Sequence, residues 1–300
     1  MNIFINAPSY DDSSGGAIVL HRLCHLINEK TEHKAFLIPL GYPLKKWLKK
    51  IRFFLRGSLN QPKNYQIRPG WNTPIWNKLN IPKDSVAIYP EIINGNPFSV
   101  DHVVRWLLHQ PGFHTGSYQY GSKELFFKFN SAIKDFYHEG SKLSKRELKI
   151  IYYPIDIYNN DYEEERTIES CHLIRKGKYK KFIHSENSIG LDGKSHKEFA
   201  EIFRKSKKFI CYDDYTAYSI FAVLCGCQSI VVPDDNVAID EWYPNPSDRY
   251  GIAYGVTPDQ LNWAEKTKGY VLNHILEEHK RAEQCVISCL KEIQDYFYQI

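Results

Sequence analysis

Residues 208–235 read KFICYDDYTAYSIFAVLCGCQSIVVPDD, and the fold of the whole chain turns on them. The opening run Phe209-Ile210-Cys211-Tyr212 is short, apolar and partly aromatic, which suits a buried strand. It ends on two acids, Asp213 and Asp214. A helix-compatible segment runs from Thr216 to Leu224, and Gly226 stops it as a C-terminal glycine does. Gln228–Val232 then supplies a second buried strand, closed by Pro233, Asp234 and Asp235. Strand, acid, helix, glycine, strand is the βαβ unit of a parallel sheet. Ligands of such sheets sit outside the carboxyl ends of the strands, beside helix N-termini able to hold phosphate. Asp213, Asp214, Tyr215 and Thr216 are therefore candidate ligand contacts. An ordinary βαβ unit with solvated acids would read the same way.

The 300 residues are enough for about two domains of roughly 150 each. A hydrophobic share of 43% can fill two cores, and 25% charged residues is ordinary for a water-exposed chain. Residues 1–150 carry 21 Lys and Arg against 11 Asp and Glu, a net of +10, whereas residues 151–300 carry 18 against 24, a net of −6. The asymmetry points to an anionic partner for the first half. Its basic residues form no nucleic-acid motif, so the expected partner is a membrane surface and not nucleic acid. The seven cysteines lie mostly in apolar segments, and Cys225-Gly-Cys227 lacks zinc-knuckle spacing. The start MNIFINAPSY is not a signal peptide, and no run approaches the ~18 apolar residues of a membrane span. A reduced, cytoplasmic protein is expected.

Asn2–Ala7 predicts a strand, Pro8–Gly16 a polar loop ending in Gly15 and Gly16, and Ala17–Asn28 a helix, which is how a Rossmann-like domain begins. The loop is not G-x-G-x-x-G, which disfavours a nicotinamide cofactor. Strands are expected at His33–Leu40, Ser85–Tyr89 and Val103–Leu108, with Glu124–Phe129 and Leu148–Ile157 completing the first sheet. The polar, acidic stretch Asn159–Thr167 predicts the domain boundary, giving domains of residues 1–160 and 161–300. Beyond it, His172–Arg175 and Lys181–His184 are short strand candidates around the basic turn RKGKYKK. Ser195 and Glu198 form a capping box for a helix running to about Lys205. Thr257-Pro258 heads a further helix, and helical pattern continues nearly to Ile300 with a break expected near Glu277–Lys280.

Four patches, YPEIINGNP (89–97), VVRWLLHQPG (103–112), YDDYT (212–216) and RYGIAYG (249–255), together with the βαβ unit, resemble bacterial GT-B glycosyltransferases of capsule and O-antigen synthesis. The resemblance implies an α/β fold of two Rossmann-like domains facing across a cleft, with the C-terminal helix folding back on the first. It implies a nucleotide-sugar donor, a UDP-sugar, and a lipid-linked glycan acceptor. Families that carry two donor-site glutamates eight positions apart would place them at Asp213 and Phe221, so the second carboxylate is absent. In this family the loop holding Gly15 and Gly16 lets backbone amides approach substrate.

Glycosyl transfer needs charge neutralised on the leaving diphosphate, the nucleoside held, and the acceptor hydroxyl oriented and deprotonated. The chain contains no D-x-D, so no metal site and no cofactor are expected. Arg175, Lys176 and Lys178 are the candidates for the diphosphate, with the amides after Thr216, and Asp213 or Asp214 would accept donor hydroxyls. For the base the candidates are Glu91, His109, His114 and an acid of the glycine loop, Asp11 or Asp12. Two alternatives stay open: a non-catalytic GT-B-like subunit that binds glycan or another polysaccharide-assembly enzyme, and a sugar-nucleotide epimerase.

Leu44–Arg56, LKKWLKKIRFFLR, places Leu44, Trp47, Leu48, Ile51, Phe54 and Leu55 on one helical face. Lys45, Lys46, Lys49, Lys50, Arg52 and Arg56 fill the remainder, with no acid. One-sign charge opposite Trp and Phe is the pattern of a helix lying in an anionic membrane interface.

Overall fold

The computed structural model describes residues 1–40, 64–78, 80–161, 165–235 and 237–298. The basic amphipathic segment Leu44–Arg56 lies outside them. The chain is α/β and divides into two units: Met1–Tyr152 with His279–Ile300, and Tyr153–Glu278. Each unit is built on an all-parallel sheet. No helix among the described residues is long and apolar enough to cross a membrane.

In the first unit β1 (Asn2–Ala7), α1 (Gly15–Lys30) and β2 (Lys34–Pro39) are followed by β3 (Val86–Pro90), β4 (His102–Leu107), β5 (Leu125–Lys128) and β6 (Lys142–Glu147). Their order in the sheet is β2-β1-β3-β4-β5-β6. Alternation along each strand sorts the side chains into two faces. Ile3, Ile5, Val86, Ile88, Val104, Trp106, Leu125 and Phe127 face one core with Leu20, Leu23 and Ile27 of α1. Ala87, Tyr89, Leu107 and Phe126 face the other way, where loops cover them through Val100, Ile133 and Phe136.

Arg105 points to that loop-covered face and is fully buried. Its guanidinium donates to Glu124 at 2.9 and 2.8 Å and to the carbonyls of Ile93 and Gly95 at 2.5 and 3.0 Å. It lies 5.1 and 4.4 Å from the ring centroids of Tyr89 and Tyr120. A loop without a helix of its own is thus tied down by one satisfied buried charge pair.

The second unit contains β7 (Ile168–Leu173), β8 (Ile189–Gly190), α2 (His196–Lys205), β9 (Ser206–Cys211), α3 (Tyr218–Leu224), β10 (Gln228–Val231), α4 (Ile239–Trp242), β11 (Ile252–Tyr254) and α5 (Pro258–Thr267). The sheet order is β11-β10-β9-β7-β8. The capping box of α2 forms as expected: Ser195 Oγ accepts from Glu198 N–H at 3.4 Å and Glu198 returns a bond from Ser195 N–H at 2.8 Å. Such a cap contributes about 1 kcal/mol. Pro258 opens α5 as expected, but Thr257 makes no side-chain cap bond.

Several expectations are corrected. Leu148–Ile157 forms no strand: Leu148 and Ile150 are buried, but the Leu148 carbonyl accepts from the Trp106 indole at 3.0 Å and Lys149 N–H meets Cys285 Sγ. The sixth strand is instead the polar KLSKRE of β6. Lys181–His184 forms no strand, because the Ile183 and His184 amides donate to Tyr212 Oη. β7 ends at Leu173, since the Asp192 carboxylate accepts both Ile174 and Arg175 amides at 2.9 Å and Arg175 turns to φ 41°. The helix expected from Thr216 starts at Tyr218, whose amide meets the Thr216 hydroxyl at 3.4 Å. No break falls at Glu277–Lys280: a 3-10 turn at Lys268–Tyr270 precedes a continuous α6 (Val271–Tyr298).

Candidate functional site

Both sheets share one ordering. The second strand lies on one side of the first and the third on the other, so the order reverses between β1 and β3 and again between β7 and β9. Open parallel sheets bind ligands outside the carboxyl ends of the strands at that reversal. The candidate residues follow those four strands, and His109 and His114 follow the neighbouring β4.

In the first unit, Glu91 directly follows β3 and is 5% exposed. Its Oε2 accepts the Leu108 amide at 3.0 Å, at the end of β4, and Tyr120 Oη donates to its backbone carbonyl at 2.6 Å. Burial pushes its carboxyl pKa up, while amide hydrogen bonds and nearby His114 pull it back. His109 stacks on Phe113 with ring centroids 3.9 Å apart and lies 5.0 Å from His114. The Gln110 amide donates to His109 Nδ1 at 2.8 Å, which leaves Nε2 as the protonated nitrogen of the neutral ring. Glu91, His109 and His114 therefore gather at one strand edge.

Gly16, in the first turn of α1, sits beside Leu108, since a Cβ there would lie 3.8 Å from the leucine Cδ1. Gly15 precedes it and is exposed. Asp11 is turned inward on its own loop, accepting from Ser13 N and Oγ at 2.9 and 2.6 Å, and these bonds lower its pKa. Asp12 is exposed in the same loop.

In the second unit, Asp213 follows β9 and is 6% exposed. Arg175, in the turn after β7, reaches it across the reversal with Nε 3.6 Å from Oδ2, and its guanidinium lies 5.8 Å from the Tyr218 ring centre. A left-handed backbone at a non-glycine residue costs strain that persists only where surroundings impose it. Asp214 is engaged differently. Lys180 Nζ donates to both its oxygens at 2.6 Å and to the Val232 carbonyl at 2.8 Å, with the lysine side chain only 4% exposed. The Trp242 indole donates to the Asp214 carbonyl at 2.8 Å. Asp214 thus anchors the basic loop, leaving Asp213 as the more available acceptor. Lys176 and Lys178 are exposed, and Tyr215 stands 62% exposed with its ring 5.9 Å from that of Tyr243.

The pattern in the chain did not single out Lys180, Arg105 or Tyr212. Lys180 was one of four lysines in RKGKYKK, and only the pairing with Asp214 distinguishes it. Gly177 was the available signal: a Cβ there would run into the Tyr212 carbonyl, so the basic turn packs against the end of β9. Cavities of about 460 and 360 Å³ in this unit lie at the other sheet edge, lined by residues such as Tyr158, Leu224 and Leu272, or Arg166, Gln228 and Lys268. They involve none of the candidate side chains. Among the described residues no three His, Cys, Asp or Glu side chains group as a metal site.

No family model matches the chain, and no curated protein sequence does.

Proposed function

We propose that this protein is a metal-independent GT-B glycosyltransferase that moves a sugar from a UDP-sugar to a lipid-linked glycan acceptor in capsule or O-antigen synthesis. The observation that carries the reading is the placement of a buried carboxyl at one strand-order reversal and a cation–carboxylate pair at the other. Arg175, with Lys176 and Lys178, would neutralise the leaving diphosphate, and Asp213 would accept donor hydroxyls. Glu91, its pKa raised by burial, would take the acceptor proton, and His114 and His109 would orient that hydroxyl. Gly15 and Gly16 would let backbone amides approach the substrate.

The test is UDP-sugar turnover with and without a lipid-linked acceptor. A transferase turns over only with acceptor, whereas an epimerase needs none. The reading fails if nucleotide-sugar is neither bound nor consumed under either condition.

A second reading, a non-catalytic subunit that binds glycan or an assembly enzyme, is favoured by Phe221. It stands where related donor sites carry their second carboxylate, and it stacks on Tyr158 with centroids 4.2 Å apart inside the core. Binding of nucleotide-sugar without turnover would select it. A peripheral position on the cytoplasmic membrane face is part of the proposal through Lys45, Lys46, Trp47, Lys49, Lys50 and Arg52. Each basic residue near an anionic surface contributes ~1 kcal/mol. Charge reversal of the four lysines is expected to abolish salt-sensitive binding to anionic liposomes while donor binding persists.

A further inference from the structure

His172, Ile210 and Tyr212 share one face of the second sheet, by the pairing of His172 with Ile210 and by alternation along β9. Helix α5 covers that face over β10 and β11, where Leu261 and Ala264 meet Ile230 and Ala253. Over β7 and the end of β9 the covering chain is the loop that carries His184. Its apolar grip is slight, since Tyr179, Phe182 and Ile183 are 70%, 47% and 44% exposed. Segments with few buried apolar contacts open at low free energy unless polar tethers hold them.

Lys180 and Tyr179 are held separately, by Asp214 and Asp234; beyond them the Ile183–His184 stretch is tied to the sheet by one phenol. Tyr212, fully buried, accepts the Ile183 amide at 2.8 Å and the His184 amide at 3.2 Å, and its oxygen lies 2.8 Å from His184 Nδ1. Two amide donors fill both lone pairs of the phenol oxygen, so its own O–H must donate, and His184 Nδ1 must accept. Only an imidazole with Nδ1 unprotonated fits. A proton on Nδ1 would set N–H against O–H. The His184 ring also lies flat on His172, with centroids 3.7 Å apart and planes 10° from parallel, and His172 Nδ1 is 2.9 Å from Ser188 Oγ.

We propose that residues 181–188 form a proton-released strap, in which uptake of one proton by the His172–His184 pair breaks the attachment to Tyr212 and loosens the loop beyond the Lys180–Asp214 anchor. Among the described residues, the titratable groups facing the pair are Tyr212 on β9 and Asp192 in the turn after β8. Lys208 shares this face of β9 but stands exposed at its amino end. Burial and His184 lower the His172 pKa, against an opposing pull from Asp192. The sign follows: the released form binds more protons, so the closed strap is fully favoured above the ordinary histidine value of about 6.5 and is lost as pH falls below it.

The test needs no ligand, so it stands apart from the glycosyltransferase reading. Protection factors of the Ile183 and His184 amides are measured by hydrogen exchange on the full chain between pH 7.5 and 5.5, alongside imidazole nitrogen shifts. Protection is expected to fall about tenfold per pH unit below 6.5, as one proton is taken up. His184→Asn, which presents a side-chain oxygen to the phenol and cannot charge, should hold its protection at pH 5.5. Tyr212→Phe should lose protection at both ends of the range. Equal wild-type protection at pH 7.5 and 5.5 overturns the proposal, as does a wild-type pH dependence surviving in His184→Asn. Should a variant fail to fold, imidazole titration in the wild type without loss of amide protection overturns it equally.

Discussion

The carboxyl edges of the two sheets hold their acids in opposite ways. Glu91, on the first, is buried, its carboxylate meets the Leu108 amide and, among the described residues, no Lys or Arg, and burial raises its pKa. Asp213 and Asp214, on the second, each face a cation, and Lys180 closes on Asp214 with both oxygens engaged. A carboxyl whose pKa is raised by burial suits proton exchange, whereas carboxylates paired with cations suit the positioning of a ligand or a loop. One topology therefore presents two chemically different edges, which the proposed function assigns to proton transfer and to donor binding.

The sharpest way to break that contrast is Glu91→Gln. The amide oxygen still accepts from Leu108 N–H, but the proposed base is gone, so turnover should fall about 10²–10⁴-fold. Stability runs the other way. A carboxyl with a raised pKa favours the fold below the ordinary carboxylate value, and this contribution is lost as pH rises through the raised value. Removing the charge should therefore leave the variant at least as stable as wild type at pH 7 in denaturant unfolding. Loss of stability with unchanged turnover would make Glu91 purely structural.

Arg105→Met tests what holds the first edge in place. Stranding Glu124 without its buried partner should cost about 3–5 kcal/mol, read by thermal or denaturant unfolding. The double variant Arg105→Met with Glu124→Leu should regain much of the loss. Asp213→Asn tests the second edge, and a charged hydrogen bond worth about 1.5–3 kcal/mol predicts roughly ten- to hundredfold weaker nucleotide-sugar binding by calorimetry. The smallest effect is expected from Asp11→Asn, whose exposed carboxylate serves its own turn. Turnover should stay within about twofold of wild type, as for a surface substitution away from buried machinery. A large loss there would move the base from Glu91 to the glycine loop.

The parts that were readable in the chain are those fixed locally. β1, β3, β4 and β10 are short apolar runs, and the capping box at Ser195 needs only four consecutive residues. β6 was missed because an edge strand of sequence KLSKRE shows its neighbours mostly charge. The apolar stretch from Leu148 was misread because its burial is met by the Trp106 indole and a Cys285 thiol rather than by ladder bonds. At the candidate site the strand-end acids were legible, since any strand followed by acids announces itself. Their division of labour was not. Lys180 and Asp214 are 34 residues apart, and Arg105 meets Glu124 across a sheet, so no local pattern marks either pair.

Helix α6 gives Val271 and Ile275 to the core of the second unit, and Ala282, Val286, Cys289, Leu290 and Ile293 to that of the first. During synthesis the first unit's strands leave the ribosome long before the residues that complete their core. At about 5–20 residues per second, the apolar face of β1, β3 and β4 waits on the order of ten seconds or more for its last helix. The second unit, contiguous from Tyr153 to Glu278, has no such wait. The first unit is therefore the one that stays incomplete longest, and a nascent chain stalled before residue 279 should display that face to a holdase.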